Sequence, residues 1–97
     1  MTDFPQSQAR ARLVISGRVQ GVGYRAFAQG EAFRRGLAGG VRNLEDGRVE
    51  VQVEGQRPEL EGFIEALWKG PRLARVDDLQ VLWEAPAAGH VGFHIWP

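Results

Sequence analysis

The fold is decided by residues 41–54, which read VRNLEDGRVEVQVE. Asp46-Gly47 supplies the positive φ angles that a tight β-turn needs, so we predict a hairpin between strands 41–44 and 49–54. In the second strand apolar and polar residues alternate, which is typical of a sheet with one solvated face. The residues expected to face the core are Val49, Val51 and Val53. Those expected to face water are Glu50, Gln52 and Glu54.

Helix and strand patterns lie on both sides of this hairpin. Upstream, an apolar alternation around residues 12–17 predicts a strand, and an i, i+3, i+4, i+8 stripe from Tyr24 predicts a helix that stops at Gly36. Downstream, Pro58 opens an amphipathic helix that Gly70-Pro71 ends, and strands follow at 79–84 and 91–95. The order β-α-β-β-α-β plus a short terminal strand predicts an α+β, ferredoxin-like split βαβ sandwich. Its sheet is antiparallel-rich, with two helices on one face. That fold hosts many functions.

Length and charge limit the classes of protein to consider. The chain has 97 residues, so we expect a polar tail at 1–9 and one domain at 10–97. Residues 1–48 carry eight arginines and four acids, whereas residues 49–97 carry four bases and eight acids, and the formal net charge is zero. A basic front half suits an anionic substrate, but a neutral total argues against broad nucleic-acid binding.

Several sequence features predict a cytoplasmic protein without disulfides, a signal peptide or a membrane span. The absence of cysteine excludes disulfides, thiol nucleophiles and thiolate metal sites. Residues 1–8 lack the basic and apolar segments of a signal peptide, and no stretch approaches the roughly 18 apolar residues of a membrane span. We therefore expect a soluble, cytoplasmic monomer without a nucleic-acid or membrane partner.

The segment between the first strand and the first helix, residues 17–25, reads GRVQGVGYR. Its glycines let successive N–H groups converge, and the helix N-terminus adds partial positive charge, so the segment could cradle a phosphate-sized anion. Arg25 lies in the first helical turn, where a guanidinium could bridge two phosphate oxygens. The same residues also suit a plain tight turn with a solvated arginine, and spacing alone leaves both interpretations open. The segment matches neither a Walker A motif nor a dinucleotide fingerprint.

Residues 17–25 resemble the first diagnostic motif of the acylphosphatase family, and residues 40–50 resemble the second. The similarity continues through residues 70–71, 74–76 and 93–95. It implies an enzyme that hydrolyses acyl phosphates to carboxylate and inorganic phosphate without metal or cofactor. It also implies that Arg25 holds the phosphate and that Asn43 orients the attacking water. The implied backbone donors to the phosphate are Arg18, Val19, Gln20, Gly21, Val22 and Gly23.

Three positions depart from the family pattern. Tyr24 stands where relatives often have Phe, so its hydroxyl needs a hydrogen-bond partner. Gly40 stands where many relatives have Trp, which predicts looser packing beside the strand that carries Asn43. The chain ends Trp96-Pro97, where many relatives carry a basic residue after the isoleucine.

The inferred reaction requires few catalytic groups from the protein. The leaving carboxylate has a pKa near ~4, so it departs without a strong general acid. The alternative function is a non-catalytic phosphate- or anion-binding module on the same fold. A domain of a larger carbamoyl-transfer enzyme is disfavoured because the chain ends at Pro97. An RNA-binding domain is disfavoured because the central strands lack paired exposed aromatics. His90 and His94 lack a convincing metal-ligand set.

Overall fold

One five-stranded sheet carries two helices in the computed structural model, which describes residues 8–87 and 89–97. The elements are β1 (Gln8–Arg18), α1 (Tyr24–Arg34), β2 (Ala38–Asn43), β3 (Val49–Gln56), α2 (Arg57–Lys69), β4 (Arg75–Glu84) and β5 (Phe93–Ile95). The sheet order is β4-β1-β3-β2-β5, and every pairing is antiparallel except that of β2 with β5. This is the predicted ferredoxin-like α+β arrangement with its additional short strand.

The hairpin between β2 and β3 is confirmed. Asn43 lies opposite Val49, and the Leu44 amide donates to the Arg48 carbonyl at 2.8 Å. Gly47 closes the turn with a φ of 96° and donates its amide to the Leu44 carbonyl at 3.2 Å. Because a side chain rarely adopts such a positive φ, the glycine of the Asp-Gly pair is what permits the tight turn.

The two helices contribute differently to the core between helices and sheet. From α2, Leu60, Phe63 and Leu67 are fully buried against the sheet valines. From α1, Ala28 and Ala32 are buried, whereas Phe33 is 83% exposed and lies off the apolar stripe. No helix formed by residues 8–87 and 89–97 has the length and apolar character that crossing a membrane requires.

Three strands start earlier than the sequence predicts, and one of them, β4, begins at Arg75 instead of residue 79. β1 begins at Gln8, so Gln8 and Ala9 pair with β3 instead of belonging to the tail, while residues 1–7 lie outside the described residues. β2 begins at Ala38 and includes Gly39, where an added Cβ would stand 1.9 Å from the Gln52 carbonyl oxygen. A glycine is therefore required there by close backbone approach.

Trp96 fills the space beside Gly40, so the expectation of looser packing there is wrong. A Cβ added at Gly40 would lie 2.2 Å from the Trp96 ring, and the Trp96 amide donates to the Val41 carbonyl at 2.8 Å. The indole comes from the end of the chain and packs against the strand that carries Asn43. An aromatic ring thus covers this strand although position 40 has no side chain.

Glu50 is buried, contrary to the prediction that it faces water. It is only 2% exposed because Arg12 on β1 and Arg42 on β2 flank it on the sheet face opposite the helices. The Arg42 Nε donates to one carboxylate oxygen at 2.6 Å, and the Arg12 Nε donates to the other. Burial alone would raise the pKa of Glu50, but the two guanidinium groups together hold that pKa below its ordinary value.

The hydroxyl of Tyr24 has the partner that its position demands. It donates a hydrogen bond of 2.7 Å to the Leu67 carbonyl and so joins the start of α1 to the end of α2. Burial raises the pKa of the Tyr24 hydroxyl above its ordinary value, because the phenolate would be desolvated. Tyrosine therefore serves here as a neutral link between the two helices.

Candidate active site

Three strands end at the same edge of the sheet, where α1 begins. β1 and β2 both run antiparallel to β3, and β5 runs parallel to β2, so their C-terminal ends share this edge. The edge collects the loop after Arg18, Asn43 at the end of β2, and Ile95 at the end of β5. Asn43 shares its strand face with Val41, which is buried in the core, so the Asn43 side chain lies on the helix side.

The loop at residues 19–23 combines two buried valines with two exposed glycines. Val19 and Val22 are buried in the core, whereas Gly21 and Gly23 are exposed and have φ angles of 74° and 80°. No atom lies within 4 Å of a Cβ added at either glycine, so backbone conformation, not space, requires them. The hydrogen bonds of the described residues include none donated by the amides of residues 19–23.

The N-terminus of α1 lacks a cap from the protein. Gly23 is the N-cap residue, no side chain accepts a hydrogen bond from the first turn, and the first turn contains no acidic residue. The free N–H groups of the turn carry the positive end of the helix dipole. Together with the loop amides, they are a set of unpaired donors in one segment of the described chain, which suits an anion.

Arg25 lines a cleft of about 210 Å³ next to this loop. The other residues that line the cleft are Val19, Gly21, Gly23, Tyr24, Ala26 and Ile95. Within residues 8–87 and 89–97, Arg25 forms neither an ion pair nor a side-chain hydrogen bond. Carboxylates there pair with Arg10, Arg12, Arg34, Arg35, Arg42, Arg48, Arg57 and Arg75. The Arg25 guanidinium is therefore free to hold a ligand.

Asn43 lies at the same sheet edge but does not line the cleft with Arg25. Its Oδ1 atom is buried and has no hydrogen-bond partner in the described part of the chain. Buried polar atoms are normally paired, and leaving one unpaired costs about 1–3 kcal/mol. An unpaired acceptor at the end of this strand can accept a hydrogen bond from a water or a ligand, which would supply the missing donor.

Gln20 has a structural role that goes beyond the backbone donor predicted from the sequence. The Gln20 Nε2 donates to the Leu44 carbonyl at 2.9 Å and to the Arg48 carbonyl at 3.0 Å. The side chain thus ties the loop to the hairpin turn directly after Asn43. No local pattern indicates this contact, because the two segments are separated by more than twenty residues and meet only in the fold.

The side chains of Arg18, His90 and His94 do not line the cleft. The Arg18 side chain is exposed at the end of β1. His94 pairs its Nε2 with the Val91 carbonyl at 2.7 Å, and the His90 ring lies 5.9 Å from the Trp96 ring. The described ranges contain no group of three or more His, Cys, Asp or Glu side chains that could hold a metal ion.

Known proteins are similar to this chain in sequence and in fold. The acylphosphatase family model matches residues 11–95. An acylphosphatase of Thermus thermophilus is 54% identical over 83 residues, which cover 86% of this chain and 93% of the relative. The crystal structure of acylphosphatase from Bacillus subtilis has a TM-score of 0.89 at 43% identity and covers 92% of this chain and 99% of its own. Full-length HypF, solved in a phosphate- and nucleotide-bound form, has a TM-score of 0.82 at 28% identity. That match covers 94% of this chain and 12% of HypF.

Proposed function

This chain belongs to the acylphosphatase family, whose enzymes hydrolyse acyl phosphates, and we propose that Arg25 and the loop amides hold the phosphate while Asn43 orients the attacking water. The reaction cleaves the carboxyl–phosphate bond and releases a carboxylate and inorganic phosphate. The roles of these residues are supported by their position at one sheet edge. The observation that carries them is the free guanidinium of Arg25 beside a loop of unpaired amides.

Binding of the phosphate rests on charge and on hydrogen-bond donors. Backbone amides of residues 18–23 point their partial positive charge at the anion, and Arg25 adds a full charge and a planar pair of donors. Because these groups are fixed before the substrate arrives, they stabilise the charge that develops on the transferring phosphoryl group without reorganising. The absence of an acid from the first turn of α1 also avoids repulsion of the substrate.

The attacking water comes from the side of Asn43. Its unpaired Oδ1 accepts a hydrogen bond from the water and aims the water oxygen at phosphorus. The new bond joins the water oxygen to phosphorus, and the bond from phosphorus to the acyl oxygen breaks. The electron pair of that broken bond leaves with the carboxylate. Because an amide is a poor base, the water proton passes to an oxygen of the substrate's own phosphate. Positioning supplies most of the rate enhancement in such a reaction.

The leaving group explains why a small set of residues is enough. A carboxylate with a pKa near ~4 is stable as it departs, so no strong general acid is needed. We propose that the chain from Gln8 onward acts as a single domain, as a monomer in the cytoplasm, without metal, cofactor, nucleic acid or membrane. The balanced net charge supports a small free acyl phosphate as the partner. Treatment with EDTA should leave the rate of hydrolysis unchanged.

Hydrolysis of benzoyl phosphate by the wild type and by two variants tests the division of roles. Arg25→Ala should nearly abolish turnover and weaken inhibition by inorganic phosphate, because Arg25 is the only cationic side chain among the described residues that line the cleft. Asn43→Ala should lower kcat by roughly 10²–10³ with little change in phosphate inhibition, because it removes a contact to water and not to phosphate. The opposite pattern would contradict the assignment. Phosphate binding by the wild type without any turnover would identify a non-catalytic module instead.

A further inference from the structure

We propose that the Gln20 side chain is a positioning residue for hydrolysis, because it fixes the distance between the phosphate loop and the strand end that carries Asn43. This inference rests on the proposed function of Arg25 and Asn43. Gln20 needs no contact with the substrate through its side chain, since its amide group acts on the backbone that positions Asn43. The loop amide of the same residue is a separate donor in the phosphate cradle.

The geometry uses both hydrogens of one amide group. The Gln20 Nε2 donates to the carbonyls of Leu44 and Arg48, at 2.9 and 3.0 Å. These residues stand on the two sides of the hairpin turn, and the Leu44 amide donates to the Arg48 carbonyl. Leu44 directly follows Asn43, so the contact holds the chain one peptide unit from the proposed water-orienting residue.

β1 and β3 are not paired next to the hairpin turn, and the Gln20 contact joins the two segments there. β1 pairs with β3 only as far as Ile15, which lies opposite Val49, but pairs with β4 as far as Arg18. A register shift interrupts the β1–β4 pairing between Ser16 and Gly17, beyond the last residue of β1 that pairs with β3. Among the described residues, the hydrogen bonds of Gln20 are the ones that join residues 19–23 to the turn at 44–48.

The consequence concerns the rate more than the affinity. Arg25 and the loop amides lie on one continuous segment, so phosphate binding survives when the hairpin shifts. Asn43 lies on the other segment, so the water moves relative to phosphorus. A displacement of about 1 Å in a reacting group can lower a rate by roughly 10²-fold. Loss of the Gln20 side chain should therefore reduce kcat selectively.

The first experiment measures hydrolysis of benzoyl phosphate by Gln20→Ala and Gln20→Met. The methionine variant preserves side-chain length but cannot donate. We expect kcat to fall roughly 10- to 100-fold, with the inhibition constant of inorganic phosphate within about twofold of wild type. Gln29→Ala is the matched control, since the Gln29 Nε2 also donates to a backbone carbonyl, that of Phe93, at 3.1 Å. It should retain the wild-type rate.

The second experiment places Gln20→Met in an Asn43→Ala background. If Gln20 acts through Asn43, the double variant should be within about twofold of Asn43→Ala alone, because interacting residues are not additive. Full additivity of the two losses, or an unchanged kcat in Gln20→Met, would overturn the positioning role even if Asn43→Ala is slow. A wild-type rate in Asn43→Ala itself would instead overturn the proposed function on which the inference rests.

Discussion

Arg25 and Arg42 are both partly exposed arginines, but they have opposite surroundings. Arg42 donates to the buried Glu50 carboxylate, which Arg12 also contacts, on the sheet face away from the helices. Arg25 has no carboxylate partner in the described chain and lines a cleft beside the uncapped start of α1. A guanidinium that is already neutralised serves the sheet, whereas one that is left unpaired among amide donors can serve a ligand.

Acidic residues also differ between the sheet and the cleft. Glu50, Glu54 and Glu84 lie with arginines on the strands β1, β3 and β4. The cleft beside Arg25 contains no acidic side chain among its lining residues, and neither does the first turn of α1. A carboxylate in that cleft would repel a phosphate dianion and would compete with it for Arg25. The molecule therefore separates structural charge from charge available for binding.

The largest expected effect comes from replacing Arg25 by lysine, with the same replacement at Arg42 as its comparison. Arg25→Lys should lower kcat/KM for benzoyl phosphate by roughly 10²-fold or more, because one ammonium cannot reproduce two parallel donors. Arg42→Lys should stay within about twofold of the wild-type rate, since Arg42 contacts Glu50 and not the cleft. Equal losses in the two variants would mean that the paired and the unpaired arginine do not differ in function.

Removing the charge of Glu50 tests the structural side of the comparison. Glu50→Gln leaves Arg12 and Arg42 without an anionic partner, and it should lower the free energy of unfolding by about 2 kcal/mol. Urea denaturation measures this loss. The control is Glu61→Gln, which breaks an exposed pair with Arg57 and should cost several times less. If both variants lose the same stability, the buried cluster has no special role.

The pH dependence of the free energy of unfolding also tests whether the Glu50 carboxylate stabilises the sheet. Because the folded pKa of Glu50 is depressed, its contribution is complete above the ordinary glutamate pKa of 4.5. The contribution is lost as the pH falls through the folded value. The stability difference between wild type and Glu50→Gln should therefore be larger at neutral pH than in acid. Urea titrations on both sides of the ordinary value measure it, and a gap that widens on acidification would have the wrong sign.

Tyr24→Phe gives the smallest expected effect and concerns the residue next to Arg25. The variant removes the hydroxyl that donates to the Leu67 carbonyl and leaves that carbonyl without this donor. The free energy of unfolding should fall by about 1 kcal/mol, as is usual for one buried hydrogen bond. Thermal or urea unfolding measures the loss. A variant as stable as the wild type would show that the two helices do not depend on this link.

Local patterns predicted most of the fold. The Asp46-Gly47 turn and the alternating valines of β3 gave the hairpin, and the stripe from Leu60 gave α2, because turn chemistry and periodicity are properties of neighbouring residues. Those patterns could not predict that Glu50 is buried. Its burial depends on Arg12 and Arg42, which the strand register brings from two other strands. The early start of β1 at Gln8 likewise depends on pairing with β3.

The candidate site likewise has features that the sequence indicates and features that only the fold reveals. Resemblance pointed to Arg25, Asn43 and the loop, and the parallel ends of β1 and β2 explain why these segments share one edge. The sequence could not reveal the bridge from Gln20 to the hairpin or the Trp96 ring over Gly40, because both join residues distant in the chain. The catalytic roles of Arg25 and Asn43 stay predictions.

The most direct test of phosphate binding at this edge is a titration of the ¹⁵N-labelled protein with inorganic phosphate, followed by amide and arginine Nε chemical shifts. We expect the largest shifts at the amides of residues 19–23 and at the Arg25 side chain, with little change at Arg12, Arg42 and Glu50. Shifts centred on that buried glutamate cluster, or an unshifted loop at saturating phosphate, would contradict the account.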